Sequence, residues 1–542
     1  MPETSAEPPK TSIKETLTSI TIALIVALVF RGFVVEGFQI PTGSMGPTLL
    51  GAHVRVRSDI SGYEWPLEPW HITRNRTPLP LQQGLTPTDP MTAIQLPARD
   101  YRTLAGDRVF VLKYLEPLHG PQRWDVTVFK VPTGSQENYI KRMIGLPGEQ
   151  VALVDGDVFT HPLQADPVGW DADGWNIQRK PRRVQESVWQ PVFDSTYTPK
   201  DSATFRSPFR GSTPGWSGLN SDTTYRFDGT GPTRLDWLNT TFRLDDYLSF
   251  NEMPAGGQMW DREDSRSYPV SDVAVAFGFE PVSDPSSLAV HLTARGYEFR
   301  GMLVRDGGSV TAMVQMRPAS DGQGTWSTLA QSRAPSSTLA AGRITNVAFW
   351  HVDQALWLFV DDKLICGGPE DGAYDWSIAQ RLTNATGQDV LSKIASDPRF
   401  PLNNVMLYRE PSLSIDFAGS PFALHRVRIW RDLFYRPENF GRTAWPGDPI
   451  TSSGKPGLAT HPDAPMLLHA DEFFLCGDNS ARSLDGRLWG SPHPLVAAKV
   501  GTGPGKVHRS LLIGRAFYVY LPSPQRRFGL PILDFGRMRW IW

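Results

Sequence analysis

The stretch YIKRMIGLPGEQVALVDGDVF, residues 139–159, decides the fold. Tyr139, Lys141 and Met143 alternate with Ile140, Arg142 and Ile144 up to the turn Gly145-Leu146-Pro147-Gly148, and in a strand such alternation puts one set on each face. Beyond the turn, Val151-Ala152-Leu153-Val154 and Val158-Phe159 flank Asp155-Gly156, which reads as a tight hairpin. Upstream, 108–113 (RVFVLK) and 125–131 (DVTVFKV) supply further strands. Lys141 is thereby set beside Tyr139 and Met143, a cation among apolar neighbours, while Arg142 faces the other way.

The whole chain agrees with this β reading. Among 542 residues there are 48 Gly and 47 Pro, which favours many turns and short strands. The net charge of −2 offers no field for nucleic acid, and 20% charged residues are too few for a disordered acidic or basic chain. Cys366 and Cys476 lie far apart with no C-x-x-C, so neither a zinc site nor a disulfide framework is predicted; whether the two thiols pair stays open.

Near the N-terminus, residues 17–30 (LTSITIALIVALVF) are apolar apart from Thr18, Ser19 and Thr21. A cleaved secretory leader and an uncleaved anchor both have such a run. Arg31 directly after it, with no A-x-A before a polar start, favours the anchor. Lys10 and Lys14 precede the span and the bulk of the chain follows, which predicts a cytoplasmic N-terminus and an exported body.

Past the anchor comes Pro41-Thr42-Gly43-Ser44-Met45-Gly46-Pro47-Thr48. Pro and Gly hold Ser44 on a tightly specified loop, which suits an exposed nucleophile as well as it suits a plain turn. A nucleophilic serine needs a base. Lys141 is the best candidate, although a surface lysine at a strand edge has the same local sequence. A free lysine is only about 0.04% unprotonated at pH 7, so its pKa must fall by roughly 3, worth about 4 kcal/mol, and burial is the means available.

Together these runs resemble the type I signal peptidases, the serine–lysine membrane proteases that remove secretory leaders. That family has an anchor, a serine loop like PTGSMGPTL, strands leading to a segment like YIKRMIGLPGE, and a late GDN motif, here Gly477-Asp478-Asn479 followed by Ser480-Ala481-Arg482-Ser483-Leu484-Asp485-Gly486-Arg487. The resemblance implies Ser44 as nucleophile and Lys141 as general base. It also implies Ser483 orienting the lysine amine, and Thr42 with the Ser44 N–H as oxyanion donors. Asp485 and Arg487 match an ion pair supporting the site, and Asp478 and Asn479 match structural positions. The family commonly reads GDNR with a further Ser before the late Arg, where this chain has Ser480 and Gly486. No metal and no cofactor is implied. The partners implied are exported preproteins with A-x-A leaders and the lipid bilayer, with the catalytic part on the extracytoplasmic side of a bacterial inner membrane.

Roughly 300 residues separate the two halves of this pattern, far more than a loop holds without a core of its own. Between them alternating stretches recur, as at 273–279, 297–304, 310–316, 347–350 and 356–360, the signature of an antiparallel sandwich. Residues 356–368 (LWLFVDDKLICGG) and 422–435 (FALHRVRIWRDLFY) resemble a concanavalin- or laminin-G-like jelly roll. Such folds often bind glycans on exposed aromatics, and Trp237, Trp260 and Trp376 are candidates against a plain core role. The expected organisation is therefore mostly β. It runs as a cytoplasmic N-terminus (1–15), a transmembrane anchor (16–36), a first peptidase part (37–160), an inserted sandwich with linkers (161–440), a linker (441–465), and a second peptidase part with a C-terminal tail (466–542). Residues 51–102 are expected as a smaller excursion. The tail 528–542 reads either as a strand closing the domain or as an aromatic segment at the headgroups.

Two functions follow: a membrane-bound signal peptidase carrying an accessory sandwich, or a cell-surface glycan- or protein-binding protein on an idle peptidase scaffold. A Ser-His-Asp hydrolase fits less well, since 11 His are scattered without a G-x-S-x-G elbow. If the sandwich is an accessory, deleting about 165–440 leaves peptide cleavage intact and alters substrate choice.

Overall fold

A computed structural model of the chain describes residues 13–69, 80–114, 119–133, 137–200, 203–252, 267–284, 286–321, 324–398, 400–440, 454–527, 530–532 and 534–542. It is mostly β, with one apolar helix at the start, Ile13–Phe33, whose 21 residues reach about 31 Å. That length and composition suffice to cross a bilayer. The helix begins before the expected 16 and stops short of 36: Val35 and Glu36 already pair with Leu112 and Val111 in the edge strand Val35–Gln39. Lys113 closes the joint by donating from Nζ to the Gly32 carbonyl at the helix end and pairing with Glu36 at 3.1 Å.

The peptidase-like part is an eight-stranded antiparallel sheet. Its order runs Val35–Gln39, Arg108–Lys113, Leu512–Leu521, Val126–Lys130, Asn138–Gly145, Glu472–Cys476, Lys506–His508, with Arg539–Trp540 added to Leu512–Leu521. Strands from before and after the long insertion therefore interleave, and Arg142 sits directly across from Cys476. The tail is a closing strand, with Trp540 opposite Tyr518 and Ile541 buried. The Asp155-Gly156 hairpin forms with Val154 opposite Asp157, both turn residues at positive φ. It belongs to a four-stranded sheet with Asn176–Ile177 and Met466–Leu468.

The stretch expected as a linker after 161 is not loose. Between 161 and 180 it holds that Asn176–Ile177 strand and buries Trp170, Trp175 and Lys180, and the helix Arg182–Val188 follows directly. Its Pro and Gly mark turns within packed structure. Of the second linker, 441–453 lies outside the described residues.

The insertion is a sandwich of an eight-stranded and a seven-stranded sheet, the latter in the order Phe209–Gly211, Thr233–Trp237, Ser412–Ala418, Ser286–Ala294, Tyr297–Asp306, Ser309–Pro318, Ser327–Ala334. Alternation makes the core: Leu288, Val290 and Leu292 point inward from one strand and meet Phe349 and Leu358 of the facing sheet. Trp237 is part of that core and Trp376 packs at its edge on Tyr297 and Tyr374, so neither is an exposed platform; Trp260 lies outside the described residues. Cys366 and Cys476 are both free and buried, one in the sandwich and one in the strand Glu472–Cys476.

Two helices of the insertion fasten it to the four-stranded sheet. Ser377 and Gln380 form a capping box that starts Ile378–Thr386, and Gly387 ends it at positive φ. Ile378, Leu382 and Val390 then pack on Ala152, Val154 and Phe159. An ionic joint lies alongside. Asp155 accepts from Arg295 (2.6 Å) and Arg381 (2.9 Å), Asp157 pairs with Arg381 at 2.5 Å, and Lys180 lies 2.5 Å from Asp353 and 2.8 Å from Asp432.

Candidate active site

Ser44 lies in a single 3₁₀ turn, Gly43–Met45, with only 9% of its surface exposed. Lys141, 3% exposed, reaches it from the strand Asn138–Gly145, and its Nζ donates to Ser44 Oγ at 2.5 Å. The lysine ammonium lies 5.4 Å from the Tyr139 ring centroid, as the alternation of this strand requires. Burial pulls the Lys141 amine down to about 8, while Asp485, Cys476 and Asp478 pull it back up. Desolvation is the larger effect, because removing an ammonium from water costs more than Asp485 and Asp478, already paired with Arg487 and Arg142, return.

Thr42 Oγ1 stands 3.5 Å from Ser44 Oγ on the approach to the turn. Asn479 clamps the same turn from the other side: its backbone N–H donates to the Ser44 carbonyl at 3.1 Å and its Nδ2 to the Gly43 carbonyl at 3.0 Å. Gly477 is needed where the two segments cross, since a Cβ there would lie 2.5 Å from the Ser44 carbonyl oxygen and 2.2 Å from Ser483 Oγ.

Ser483 is buried beside this crossing but does not hydrogen-bond Lys141. The Asp485 carboxyl, penalised by burial, is held low chiefly by the Arg487 guanidinium, with smaller help from the Gly477 N–H and the Ser483 hydroxyl. The expected pair of Asp485 and Arg487 is present and fully buried, with contacts of 2.9 Å from Nε and from Nη2. Asp485 also accepts from the Gly477 N–H at 2.8 Å. The two departures in this segment have local reasons. Ser480 Oγ accepts from Arg487 Nη1 at 2.7 Å, and a side chain at Gly486 would lie 2.7 Å from the Phe474 ring and 2.8 Å from the Gly505 carbonyl.

Sequence reasoning missed four further participants. Arg142, on the opposite face from Lys141, forms a bidentate pair with Asp478 at 2.8 and 2.7 Å. Glu68, from the 51–102 excursion, accepts from the Gly43 N–H at 3.1 Å, and its other oxygen is buried with no hydrogen-bond partner among the described residues. Burial pushes the Glu68 carboxyl up to about 7, against Arg482 and that N–H. From the insertion, the Phe250 ring packs against Gly43 and Gly46, and Asn251 hydrogen-bonds the Asn479 side chain. The only sequence signal was Arg142 itself, a cation at an alternate position in a strand that otherwise reads as buried.

A buried group of four carboxylates, Asp157, Asp272, Asp353 and Asp432, is close enough to hold an ion, but each already faces Lys180, Arg295 or Arg381. We read it as the ionic joint described above.

Residues 93–168 match the family model "Signal peptidase, peptidase S26", which includes Lys141 and leaves Ser44 and the late motif outside. Signal peptidase I of Pseudomonas aeruginosa is 33% identical over 154 residues, 27% of this chain and 39% of that protein. Its counterpart from Rickettsia typhi is 28% identical over 149 residues, 27% of this chain and 43% of that protein. The chain is signal-peptidase-like. It spans about two fifths of the length of these curated relatives. A solved structure of the carbohydrate binding module CBM66 from Bacillus subtilis aligns with 41% of this chain and 96% of its own length, at 8% identity and a TM-score of 0.22.

Proposed function

We infer that this signal-peptidase-like chain is a membrane-anchored serine endopeptidase that cleaves leaders from exported preproteins with a Ser44/Lys141 dyad. The observation that carries the reading is the 2.5 Å contact between a buried lysine amine and a buried serine hydroxyl. With its amine held near 8, Lys141 is neutral in a useful fraction of molecules around neutral pH. It takes the Ser44 proton as Ser44 Oγ attacks the scissile carbonyl, then gives that proton to the leaving amine. Water activated by the same amine releases the acyl group. Thr42 Oγ1, beside the nucleophile, and the Ser44 N–H stabilise the oxyanion.

The helix Ile13–Phe33 supports a single-pass anchor at a bacterial inner membrane, which would hold the cleft where the substrate's cleavage site emerges. Segments 37–160 and 466–542 are assigned to the peptidase and 161–440 to an inserted domain, whose glycan or protein ligand stays open. Cleavage of an A-x-A preprotein in detergent by the native chain, Ser44→Ala and Lys141→Ala tests the reading. Activity confined to the native chain supports it; equal activity in all three rejects it in favour of a binding protein on an idle scaffold.

A further inference from the structure

The turn Ser249–Asn251 of the sandwich insertion reaches the nucleophile loop from outside the peptidase sheet, and it does so by two separate routes. On one route, Asn251 and Asn479 exchange side-chain hydrogen bonds: Asn251 Nδ2 donates to Asn479 Oδ1 at 2.8 Å, and Asn479 Nδ2 donates to Asn251 Oδ1 at 2.7 Å. The same Asn479 Nδ2 donates to the Gly43 carbonyl, so Asn251 fixes the amide that fixes the loop. On the other route, the Glu68 N–H donates to the Phe250 carbonyl at 2.8 Å, and Glu68 Oε1 accepts from Gly43 N–H. Between the two routes the Phe250 ring fills the space over the turn. A Cβ added at Gly46 would lie 2.3 Å from it and one at Gly43 2.8 Å, and the ring itself is buried.

We propose that Phe250 and Asn251 are positioning residues for Ser44, so that the inserted sandwich completes the catalytic unit instead of riding on it. An amide side chain left without a partner swings, and a loop without its packing ring has room to move. Lys141 approaches Ser44 from the opposite strand and depends on the loop staying in place. Because a misplacement of about 1 Å between reacting groups costs on the order of 100-fold, small rearrangements at 250 and 251 are read out in turnover. A positioning role of this kind acts on turnover and leaves substrate affinity little changed.

The proposal rests on the dyad reading, and the experiment separates the two. The full chain in detergent is assayed on an A-x-A preprotein alongside Ser44→Ala, Asn251→Ala, Phe250→Leu, Asn479→Ala, the double variant Asn251→Ala/Asn479→Ala, and Val282→Ala as a control at an exposed site of the sandwich. We expect Asn251→Ala and Phe250→Leu to lower kcat by about 10- to 100-fold with KM within about twofold. The double variant should be no worse than Asn479→Ala alone, and Val282→Ala should match the native chain. Native-like kcat in Asn251→Ala and Phe250→Leu overturns the positioning role while leaving the dyad intact, as do losses at 251 and 479 that multiply. A native chain that fails to cleave, or Ser44→Ala that cleaves equally, overturns the dyad and the positioning role with it.

Discussion

Arg142 and Asp478 form a bidentate ion pair at 2.8 and 2.7 Å with neither side chain exposed to solvent. One belongs to the lysine strand and the other to the GDN motif, so this pair locks together segments that lie on either side of the insertion. Arg142 also donates from Nη1 to the main-chain oxygens of Trp124 (2.9 Å) and Trp542 (2.7 Å), which draws the closing tail into the same joint. Lys141 and Arg142, adjacent in sequence, thus divide two tasks by facing opposite sides of one strand.

Removing one partner of such a pair strands a buried charge. Arg142→Ala is expected to destabilise the chain by about 3–5 kcal/mol in denaturant unfolding, and Asp478→Asn by less, because an amide still accepts from the guanidinium. Equal stability of native chain and Arg142→Ala would show that the joint is not structural.

Thr42→Val should leave the unfolding midpoint unchanged and lower kcat by about 10²–10³-fold, the cost of one oxyanion donor, with little change in KM. Thr42→Ser keeps the hydroxyl and should recover most of the rate. A slow Thr42→Ser would place the effect in packing.

Glu68 gives a pH dependence of stability with a definite sign. Its carboxyl titrates near 7 in the folded chain against an ordinary 4.5, so between those values the folded state holds more protons than the unfolded one. Stability from this group is complete below about 4.5 and declines as pH rises towards 7. Glu68→Gln keeps an acceptor for the Gly43 N–H and should flatten that slope in thermal unfolding measured from pH 5 to pH 7.5; an unchanged slope would show that Glu68 is not its source.

The ionic joint between hairpin and sandwich makes a paired prediction. Arg381→Leu leaves Asp157 without its 2.5 Å partner and should cost about 3–5 kcal/mol, whereas adding Asp157→Asn should restore part of the loss. Full additivity of the two would remove the coupling.

Much of this arrangement was legible because it is written locally. The alternation at 139–144 put Lys141 with Tyr139 and turned Arg142 away, and Asp155-Gly156 read as the hairpin it is. Order along the chain brought the serine loop, the lysine strand and the late motif into one site. The start of the insertion, where a linker was expected after 161, is packed, because Pro, Asp and Gly mark a turn equally well inside packed structure and in a linker. Ser483 lies buried at the crossing beside Ser44, where the late motif sets it, and its hydroxyl makes no hydrogen bond to the Lys141 amine. Glu68, Phe250 and Asn251 carry no local pattern, since their role comes from where distant strands set them down. Deleting 165–440 would remove the Phe250 ring packed on Gly43 and Gly46 and the Asn251–Asn479 hydrogen bonds, so measuring cleavage by that deletion variant tests whether the insertion is dispensable.

The pH dependence of kcat/KM for preprotein cleavage reads the protonation of the base in the free enzyme and goes to the centre of the account. A lysine amine held by burial near 8 predicts activity that is low in acid, rises with a midpoint at about 8, and levels off above, and that is lost in Lys141→Arg, where the side chain stays charged. A profile that rises only near the ordinary lysine value above 10, or one that Lys141→Arg leaves unchanged, would contradict it.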